Sequence, residues 1–328
     1  RRSRINKVRC QTKQESYIET YPAAIKFAEE QASIAWPPKE FPVEEDIHEV
    51  KTNCTEAEVH GVITTLKLFT NYELKAGNEY WGNRIAKKYP RVCIQRMANA
   101  FANAELNMHA PFYNQLNKAL NLDTELFYSS YKDNETLNER MLFIDECISS
   151  KDDLLSLAVF SMVEGAILYS AFAFLKHFRA GGKNKFKNLV SGINASVKDE
   201  NLHALGGAWL FNTHLEEVGT KVDKELLDSN IYLAAIKIFE HEKEIISMLF
   251  EKGNIHGITA TQLENFVQSR LNLCLNNLGL KSHWEVKYNP IADWFYDNIN
   301  ALKLHDFFDA GGSDYSRNWI QQEFVVKW

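Results

Sequence analysis

The chain has 328 residues, of which 45% are apolar and 24% are charged, and its formal net charge is −6. This balance is typical of a folded globular protein and excludes the broad basic surface that nucleic-acid binding requires. The length exceeds that of a usual single domain, but a long helical bundle can extend this far around one core. We therefore expect one large domain and no nucleic-acid partner.

The cysteines predict the compartment. They are far apart and form no CxxC pair: Cys10, Cys54, Cys93, Cys147 and Cys274. This spacing indicates neither a disulfide framework nor a zinc knuckle, so a reducing cytoplasm is expected. We find no continuous apolar run of about 18 residues, so no membrane span is expected.

Helical periodicity dominates the chain. The prolines are Pro22, Pro37, Pro38, Pro42, Pro90, Pro111 and Pro290. The long interval without proline after residue 111 suits long helices, because proline interrupts them. Apolar residues at helical spacing predict helices over 22–34, 55–88, 91–121, 134–149, 152–179, 185–218, 224–252 and 260–278. Strand patterns are almost absent before residues 284–286.

Three segments interrupt this helical pattern. The proline-rich piece 36–42 must be extended, and the glycine pairs at 181–182 and 311–312 are clear breaks. The residues after Gly312 are polar and aromatic without helical periodicity. We therefore expect a single domain over residues 1–312 and a tail, residues 313–328, that orders only on a partner.

Four of the predicted helices carry candidate metal ligands. Glu105 and His109 are four residues apart and Glu200 and His203 are three apart, so each pair lies on one side of its helix. Two further glutamates stand in apolar stretches of other helices. Carboxylates and imidazoles from four helices form the ligand set of a dimetal carboxylate site. The complete candidate set is Glu73, Glu105, His109, Glu164, Glu200 and His203.

Charge explains why these residue types occur together. Two metal cations in a dry core need several anionic oxygens nearby, whereas a lone buried carboxylate is costly. A single Glu or His would more often be a structural residue. Glu164, however, lies between Met162 and Ala166 in a strongly apolar stretch, where an unpaired charge is hard to justify. The joint pattern therefore predicts a dimetal centre, and imidazole nitrogen suits iron or manganese.

Two other clusters have ligand spacing. His214 with Glu217, and the run 240–244, lie among charges that are typical of a solvated helix face. We therefore do not expect either cluster to bind metal.

At the candidate ligands the chain resembles the small subunit of class I ribonucleotide reductase, over nearly its whole length. That family has an acidic ligand, Glu-x-x-His, a tyrosine four residues later, a Glu, and Asp-Glu-x-x-His. Here the tyrosine is Tyr113 and the last motif is residues 199–203. The resemblance implies an all-α, ferritin-like bundle with additional long helices around a dimetal-binding four-helix core. It also implies that the metals activate oxygen and oxidise Tyr113 to a radical stored for the large subunit.

The same resemblance assigns an electron-transfer path and partners. Trp36 occupies the place of the family's tryptophan, with Asp199 as its hydrogen-bond partner and His109 beyond it; by composition alone Trp36 would be a core residue. The tail is similar to the family's tail, which docks on the large subunit and holds a relay aromatic, here Tyr315 or, behind it, Trp319. A homodimer is implied, and the need for an activating flavoprotein stays open.

The chain departs from the family pattern at two ligands. Glu105 and His109 are one residue further apart than in Glu-x-x-His, and Pro111 would clash with the carbonyl of Asn107. A π-bulge accommodates an extra residue and a disrupted ladder, so we predict one between Glu105 and Pro111. Glu73 replaces the usual Asp, as in a manganese/iron branch that lacks the radical tyrosine. Iron is the first expectation, and manganese or a mixed centre stays open.

Two other functions fit a dimetal bundle. The first is an oxidase that hydroxylates or desaturates an apolar substrate in a channel. The second is an iron-storage or purely structural bundle. Tyr113, Trp36 and the tail favour a radical-generating subunit over both, because an oxidase needs a substrate cavity and a storage protein needs none of the three.

Overall fold

The computed structural model describes residues 8–285, 288–297 and 299, and it is built from helices. The α-helices are α1 (Pro22–Ser33), α2 (Ile47–Thr52), α3 (Glu56–Leu74), α4 (Ala86–Lys88), α5 (Val92–Ala104), α6 (Ala110–Ala119), α7 (Glu125–Ser129), α8 (Glu135–Ser149), α9 (Asp153–Met162), α10 (Tyr169–Lys176), α11 (Lys187–Val218), α12 (Lys224–Leu249), α13 (Ala260–Asn277) and α14 (Pro290–Phe295). In this part of the chain, the β pairing is one isolated bridge between Ile255 and Ile258. The all-α prediction is therefore confirmed.

Helices of other pitch complete the architecture. The π-helices are Lys75–Ile85, Glu105–His109 and Val163–Ile167. The 3-10 helices are Arg9–Gln11, Pro38–Glu40, Val43–Asp46, Ser130–Asp133, His177–Arg179 and Gly219–Lys221. Each of the long helices predicted from periodicity is present, and three of them are continued through a π-helix. The short helices α2, α7 and α14 were not predicted, because five or six residues carry too little periodicity.

Side-chain caps fix where several helices begin. Thr55 and Thr259 each form a capping box with the residue three positions later, before α3 and α13. Asn134, Asp152 and Asp223 accept a backbone N–H at the starts of α8, α9 and α12. These oxygens satisfy amide groups that the helix itself leaves without partners. The helix boundaries in this region are therefore encoded locally.

Helix α11 is capped by a distant segment instead. It begins after Phe186, whose φ of 58° lies in the left-handed region. Asp46 Oδ2 accepts the Leu189 N–H at 2.7 Å, and Glu49 Oε2 accepts the Phe186 N–H at 2.5 Å. Carboxylates at a helix N-terminus also interact favourably with its dipole. The start of the longest helix is thus set by tertiary contacts.

The core lies where α11 packs against α9 and where α1 packs against α5. Phe27 of α1 contacts Phe101 of α5 and Trp209 of α11, with ring centroids 6.4 and 6.3 Å apart. Gly165 allows close packing beside this core, since a Cβ there would stand 2.4 Å from the Cys274 sulfur. The central helices are consequently held close together around the candidate ligands.

One stretch, Asp153–Arg179, is long and apolar enough to cross a membrane. The stretch is not a continuous apolar run, because Ser161 and Glu164 interrupt it, but the average hydropathy of its best window reaches the level of a membrane span. Its most apolar window is entirely buried inside the protein, and Glu164 lies within it. The stretch is a core helix, whose apolar residues face other helices on every side.

A buried ion-pair group holds residues 183–185 against the start of α3. Lys183 and Lys185 lie 2.6 and 3.0 Å from the two carboxylate oxygens of Glu58, which is 3% exposed. Burial alone would raise the pKa of Glu58, but these ammonium groups and the Thr55 N–H outweigh it and lower the pKa to about 2. Since the pKa falls on folding, the ionised carboxylate stabilises the fold above the unfolded pKa.

We expect Glu58→Gln to lower the free energy of unfolding at neutral pH by roughly 2–3 kcal/mol. The difference from wild type should shrink as the pH falls from about 4.5 to about 2, where Glu58 takes up its proton. Denaturant titrations across this range would measure it. Glu56→Gln is the control, because Glu56 is 85% exposed and its change should cost about 0.5 kcal/mol or less.

Candidate metal centre

The structure brings the six predicted ligands into two overlapping groups. The groups are Glu73, Glu105, His109 and Glu200, and Glu105, Glu164, Glu200 and His203. Within each group one ligand atom per residue lies within 4.8 Å of the others, and every member is 0–1% exposed. Glu105 and Glu200 belong to both groups, so these two carboxylates are shared between them.

The π-helices present these side chains. Glu105 and His109 are the first and last residues of one π-helix, and Glu164 lies in another. The π-bulge predicted between Glu105 and Pro111 is therefore confirmed. A π-turn contains one residue more than an α-turn. In a π-turn, Glu105 and His109 at four-residue spacing can therefore take the relative orientation that Glu200 and His203 have at three-residue spacing in an α-helix. Glu73 stands at the end of α3, just before the third π-helix.

Acceptor atoms converge between the two histidines. His109 Nδ1 lies 3.1 Å from Glu105 Oε2, 3.2 Å from Glu200 Oε1 and 3.4 Å from Glu73 Oε2. His203 Nδ1 lies 2.7 Å from Glu105 Oε1. Among the residues that the structure describes, these nitrogens and both oxygens of Glu73, Glu105 and Glu200 have no hydrogen-bond partner. Buried acceptors without donors are costly, so the donor set fits metal cations placed among them.

The electrostatics of the cluster support the same conclusion. Burial and the neighbouring Glu105 charge raise the pKa of Glu73 well above its ordinary value, and burial with Glu105 and Glu164 does so for Glu200. Burial opposes protonation of His203, but Glu105 outweighs it and raises its pKa to about 9. Without cations the cluster must therefore hold protons, which bound metals would displace.

A hydrogen-bond network fixes both histidines from behind. His109 Nε2 donates to Asp199 Oδ2 and His203 Nε2 donates to Gln31 Oε1, each at 2.8 Å. Gln31 Nε2 donates to Asp199 Oδ1 at 2.9 Å, which joins the two histidines in one network. With the proton on Nε2, each Nδ1 lone pair faces the carboxylates, which is how metal-binding histidines are usually oriented.

Gln31 is not among the residues that the sequence pattern predicted for the site. It is 2% exposed on α1, at helical spacing from the buried residues Ala24, Phe27 and Ala28. A polar residue at a core-facing helix position is the signal that could have found it.

Two more residues missed from the sequence hold Glu164. Trp81 Nε1 donates to Glu164 Oε1 at 2.6 Å, and the Tyr72 hydroxyl donates to Glu164 Oε2 at 3.1 Å. Both are 0–1% exposed, so each polar atom needs an internal partner. These bonds leave Glu164 in one fixed orientation beside the second group of ligands.

Tyr113 follows His109 along the chain, in α6, and Trp36 packs on the His109 ring. The Tyr113 ring is 4.5 Å from the Phe69 ring, its side chain is fully buried, and its hydroxyl makes no hydrogen bond among the described residues. Burial and the Glu73 charge raise the pKa of Tyr113 well above 10, so the phenol stays protonated. Trp36 stacks on His109 at 5.8 Å between ring centroids and donates its Nε1–H to Asp199 Oδ2 at 2.8 Å. Tyr315 and Trp319 lie outside the described residues.

The run 240–244 is not simply a solvated helix face, as its charges suggested. Glu242 is 1% exposed and pairs with Arg140 at 2.8 Å, and His241 is 5% exposed. Glu242 also accepts a hydrogen bond from Ser170. The spacing within α12 could not predict that Glu242 is buried and paired, because Arg140 and Ser170 belong to α8 and α10, far away in sequence.

Comparison with known proteins agrees with the geometry. A helical bundle with a carboxylate and imidazole cluster in its core is the architecture of dimetal carboxylate proteins. A family model described as "Ribonucleotide reductase, small chain" matches residues 17–290. A protein of Invertebrate iridescent virus 3, named as a ribonucleoside-diphosphate reductase small subunit, is 25% identical over 301 residues, which cover 86% of this chain and 78% of that protein.

Two solved structures share the fold. Dimanganese(II)-NrdF of Streptococcus sanguinis has a TM-score of 0.75 at 18% identity, with 86% of this chain and 98% of that chain covered. The ribonucleotide reductase R2 subunit of Clostridium botulinum has a TM-score of 0.70 at 18% identity, with 85% and 88% covered. The chain therefore belongs to the ribonucleotide reductase small-chain family and is a small subunit of this oxidoreductase. The resemblance noted in the sequence is confirmed.

Metal binding should need the shared carboxylates. We expect Glu200→Ala to reduce bound metal well below two ions per chain, because Glu200 belongs to both ligand groups. Metal analysis of the reconstituted protein, with circular dichroism to show that it is folded, would measure this. Glu244→Ala is the control, because Glu244 is exposed on α12 and lies outside both groups. Equal metal loss in the two variants would contradict the site.

Proposed function

We propose that this subunit binds two metal ions in the six-residue cluster, generates a radical on Tyr113 and delivers it to the large subunit for ribonucleotide reduction. The observation that carries the proposal is the convergence of candidate ligand atoms that lack hydrogen bonds within the described part of the chain, together with the fully buried phenol of Tyr113. The proposal includes a homodimer as the assembly and the cytoplasm as the compartment. It leaves open whether an activating flavoprotein is needed.

In this proposal the residues of the site bind the metals, orient the metal-binding side chains and shield Tyr113 from solvent. When bound, the metals would react with dioxygen and supply the oxidising power that removes an electron from Tyr113. Asp199 and Gln31 hold the imidazoles in the tautomer that binds metal, and Trp81 and Tyr72 orient Glu164. Full burial keeps water and reductants away from the Tyr113 ring. Because its pKa is raised, Tyr113 is a protonated phenol before oxidation. Loss of an electron makes a phenol strongly acidic, so its proton would pass to a basic group of the neighbouring carboxylate cluster and leave a neutral radical.

Trp36, Asp199 and His109 supply a route for the electron. The Trp36 indole is 5% exposed, stacks on His109 and shares Asp199 with it, so these groups form a continuous hydrogen-bonded and stacked chain. In the proposal, the tail continues this route on the partner, with Tyr315 as the relay. This last part rests on the aromatic sequence of residues 313–328.

The ligand chemistry suits more than one metal. Carboxylate oxygens and imidazole nitrogens bind iron and manganese alike, and the two ligand groups differ little in donor type. We propose iron as the first candidate, with manganese or a mixed manganese/iron centre as the alternatives. The similar Streptococcus sanguinis structure is a dimanganese(II) protein, which supports manganese as a candidate.

Removing the Tyr113 hydroxyl should abolish the radical without affecting metal binding. We expect Tyr113→Phe to keep the fold and both metals, because the phenyl ring still fills the same space beside Phe69. The tyrosyl signal in electron paramagnetic resonance should disappear after exposure to oxygen. Tyr17→Phe is the control, because Tyr17 is 64% exposed and should not change the signal. A tyrosyl signal that persists without Tyr113 would place the radical elsewhere.

A chain that ends at residue 312 should still form the radical but should not support ribonucleotide reduction. We expect it to bind metals and to form the Tyr113 radical, because both depend on the bundle. Ribonucleotide reduction with saturating large subunit should be lost, since Phe324, Trp328 and Trp319 are the proposed docking anchors and aromatic residues dominate interface energetics.

A synthetic peptide of residues 313–328 should compete with the intact subunit, and a peptide of the same composition in scrambled order should not. Near-normal turnover of the truncated chain would show that neither docking nor the relay uses the tail.

A further inference from the structure

An apolar pocket lies directly behind the metal cluster. It opens between α3, α8, α10 and α12, and its lining includes Leu68, Phe69, Tyr72, Ile144, Leu168 and Ala171. Its interior has room for roughly two water-sized molecules. A pocket of this size is too small for a lipid or for the apolar substrate of a dimetal oxidase.

Two side chains separate this pocket from the site. Tyr72 lines the pocket, and its hydroxyl donates to Glu164. Phe69 lines the pocket as well, and its ring lies 4.5 Å from the ring of Tyr113. Both are 1% exposed, so they form the inner wall of the pocket. A molecule in the pocket is therefore one side chain away from a metal ligand and from the proposed radical residue.

The polar groups in the wall are already paired. Arg140 donates to Glu242 at 2.8 Å, and Ser170 donates to the same carboxylate. The Thr65 hydroxyl donates to the Val62 carbonyl at 2.7 Å. Ordered water needs two to four free polar partners, so this wall favours a small apolar guest instead.

We propose that this pocket is the access route by which dioxygen reaches the metal centre, with Phe69 and Tyr72 as its inner gate. The inference rests on the proposed function, because that function needs dioxygen at residues that are 0–1% exposed. Dioxygen is small and apolar, and it matches both the size and the lining of the pocket. The proposal concerns passage only and adds no chemical step.

The test fills the pocket at Ala171, which lies in its wall and is 9% exposed. The variants are Ala171→Val and Ala171→Leu, whose side chains have two and three more carbon atoms than alanine. Ala234→Leu is the matched control, because Ala234 is a half-buried alanine of α12 outside the pocket. Metal content and thermal unfolding of each variant show whether the site and the fold are intact.

Xenon is the probe for the pocket itself. We expect wild type and Ala234→Leu, loaded with metal under anaerobic conditions, to bind xenon saturably in xenon NMR, and Ala171→Leu to lose this binding. Dry apolar cavities in proteins bind xenon, so absence of binding in wild type would overturn the proposal.

Rapid mixing with limiting dioxygen gives the second measurement. We expect oxidation of the reduced, metal-loaded centre to slow by about tenfold in Ala171→Leu, because the larger side chain blocks the passage of dioxygen through the pocket. Ala171→Val should have a smaller effect. If Ala171→Leu excludes xenon but reacts at the wild-type rate, the pocket is not the route, and the proposed function still stands. If wild type binds xenon but neither its iron-loaded nor its manganese-loaded centre reacts with dioxygen, with or without an activating flavoprotein, the proposed function fails, and the access route fails with it.

Discussion

Four carboxylates and two imidazoles share one dry region of this protein, and their charge is the constraint on which the surrounding structure depends. Each carboxylate would be expensive to bury alone, and together they repel one another. Cations among them remove both penalties, because they supply positive charge and accept the lone pairs that find no hydrogen-bond donor. The helices around the cluster can therefore be apolar elsewhere, as the buried stretch Asp153–Arg179 shows.

Geometry follows from this charge requirement. The candidate ligands come from four helices and meet within a few ångströms, whereas a regular α-helix offers only fixed positions along its face. The π-helices Glu105–His109 and Val163–Ile167 shift the register where ligands are needed. Such turns have weaker backbone hydrogen bonding, so they persist where tertiary contacts hold them. The bonds from Trp81 and Tyr72 to Glu164, and from Asp199 and Gln31 to the imidazoles, are contacts of this kind.

The same side chains connect the site to its surroundings. Asp199 links His109 to Trp36, which extends the network toward the proposed electron route. Tyr72 and Phe69 separate the cluster from the apolar pocket. The buried pair of Arg140 and Glu242 closes the polar side of the pocket without leaving a free charge.

The sequence by itself determined the helices, the six clustered residues and the family. Helical periodicity is a local signal, and Glu105 with His109 or Glu200 with His203 lies within one turn, so spacing alone showed a shared face. The extra residue before His109 also predicted its π-turn, because Pro111 cannot donate the missing bond. The roles of these residues as metal ligands, and of Tyr113 as the radical, stay proposals.

Only the tertiary structure decided which distant side chains meet. Gln31 links His203 to His109 through Asp199, although the two histidines are far apart in sequence. The pattern of the Gln31 helix does not show which residues it contacts. The partners of Glu242 were equally hidden, since Arg140 and Ser170 reach it from other helices. The contacts of Trp81 and Tyr72 with Glu164, and the pocket, were likewise visible only in the tertiary structure. Their positions depend on how helices cross, and crossing is set by packing over the whole core rather than by any local pattern.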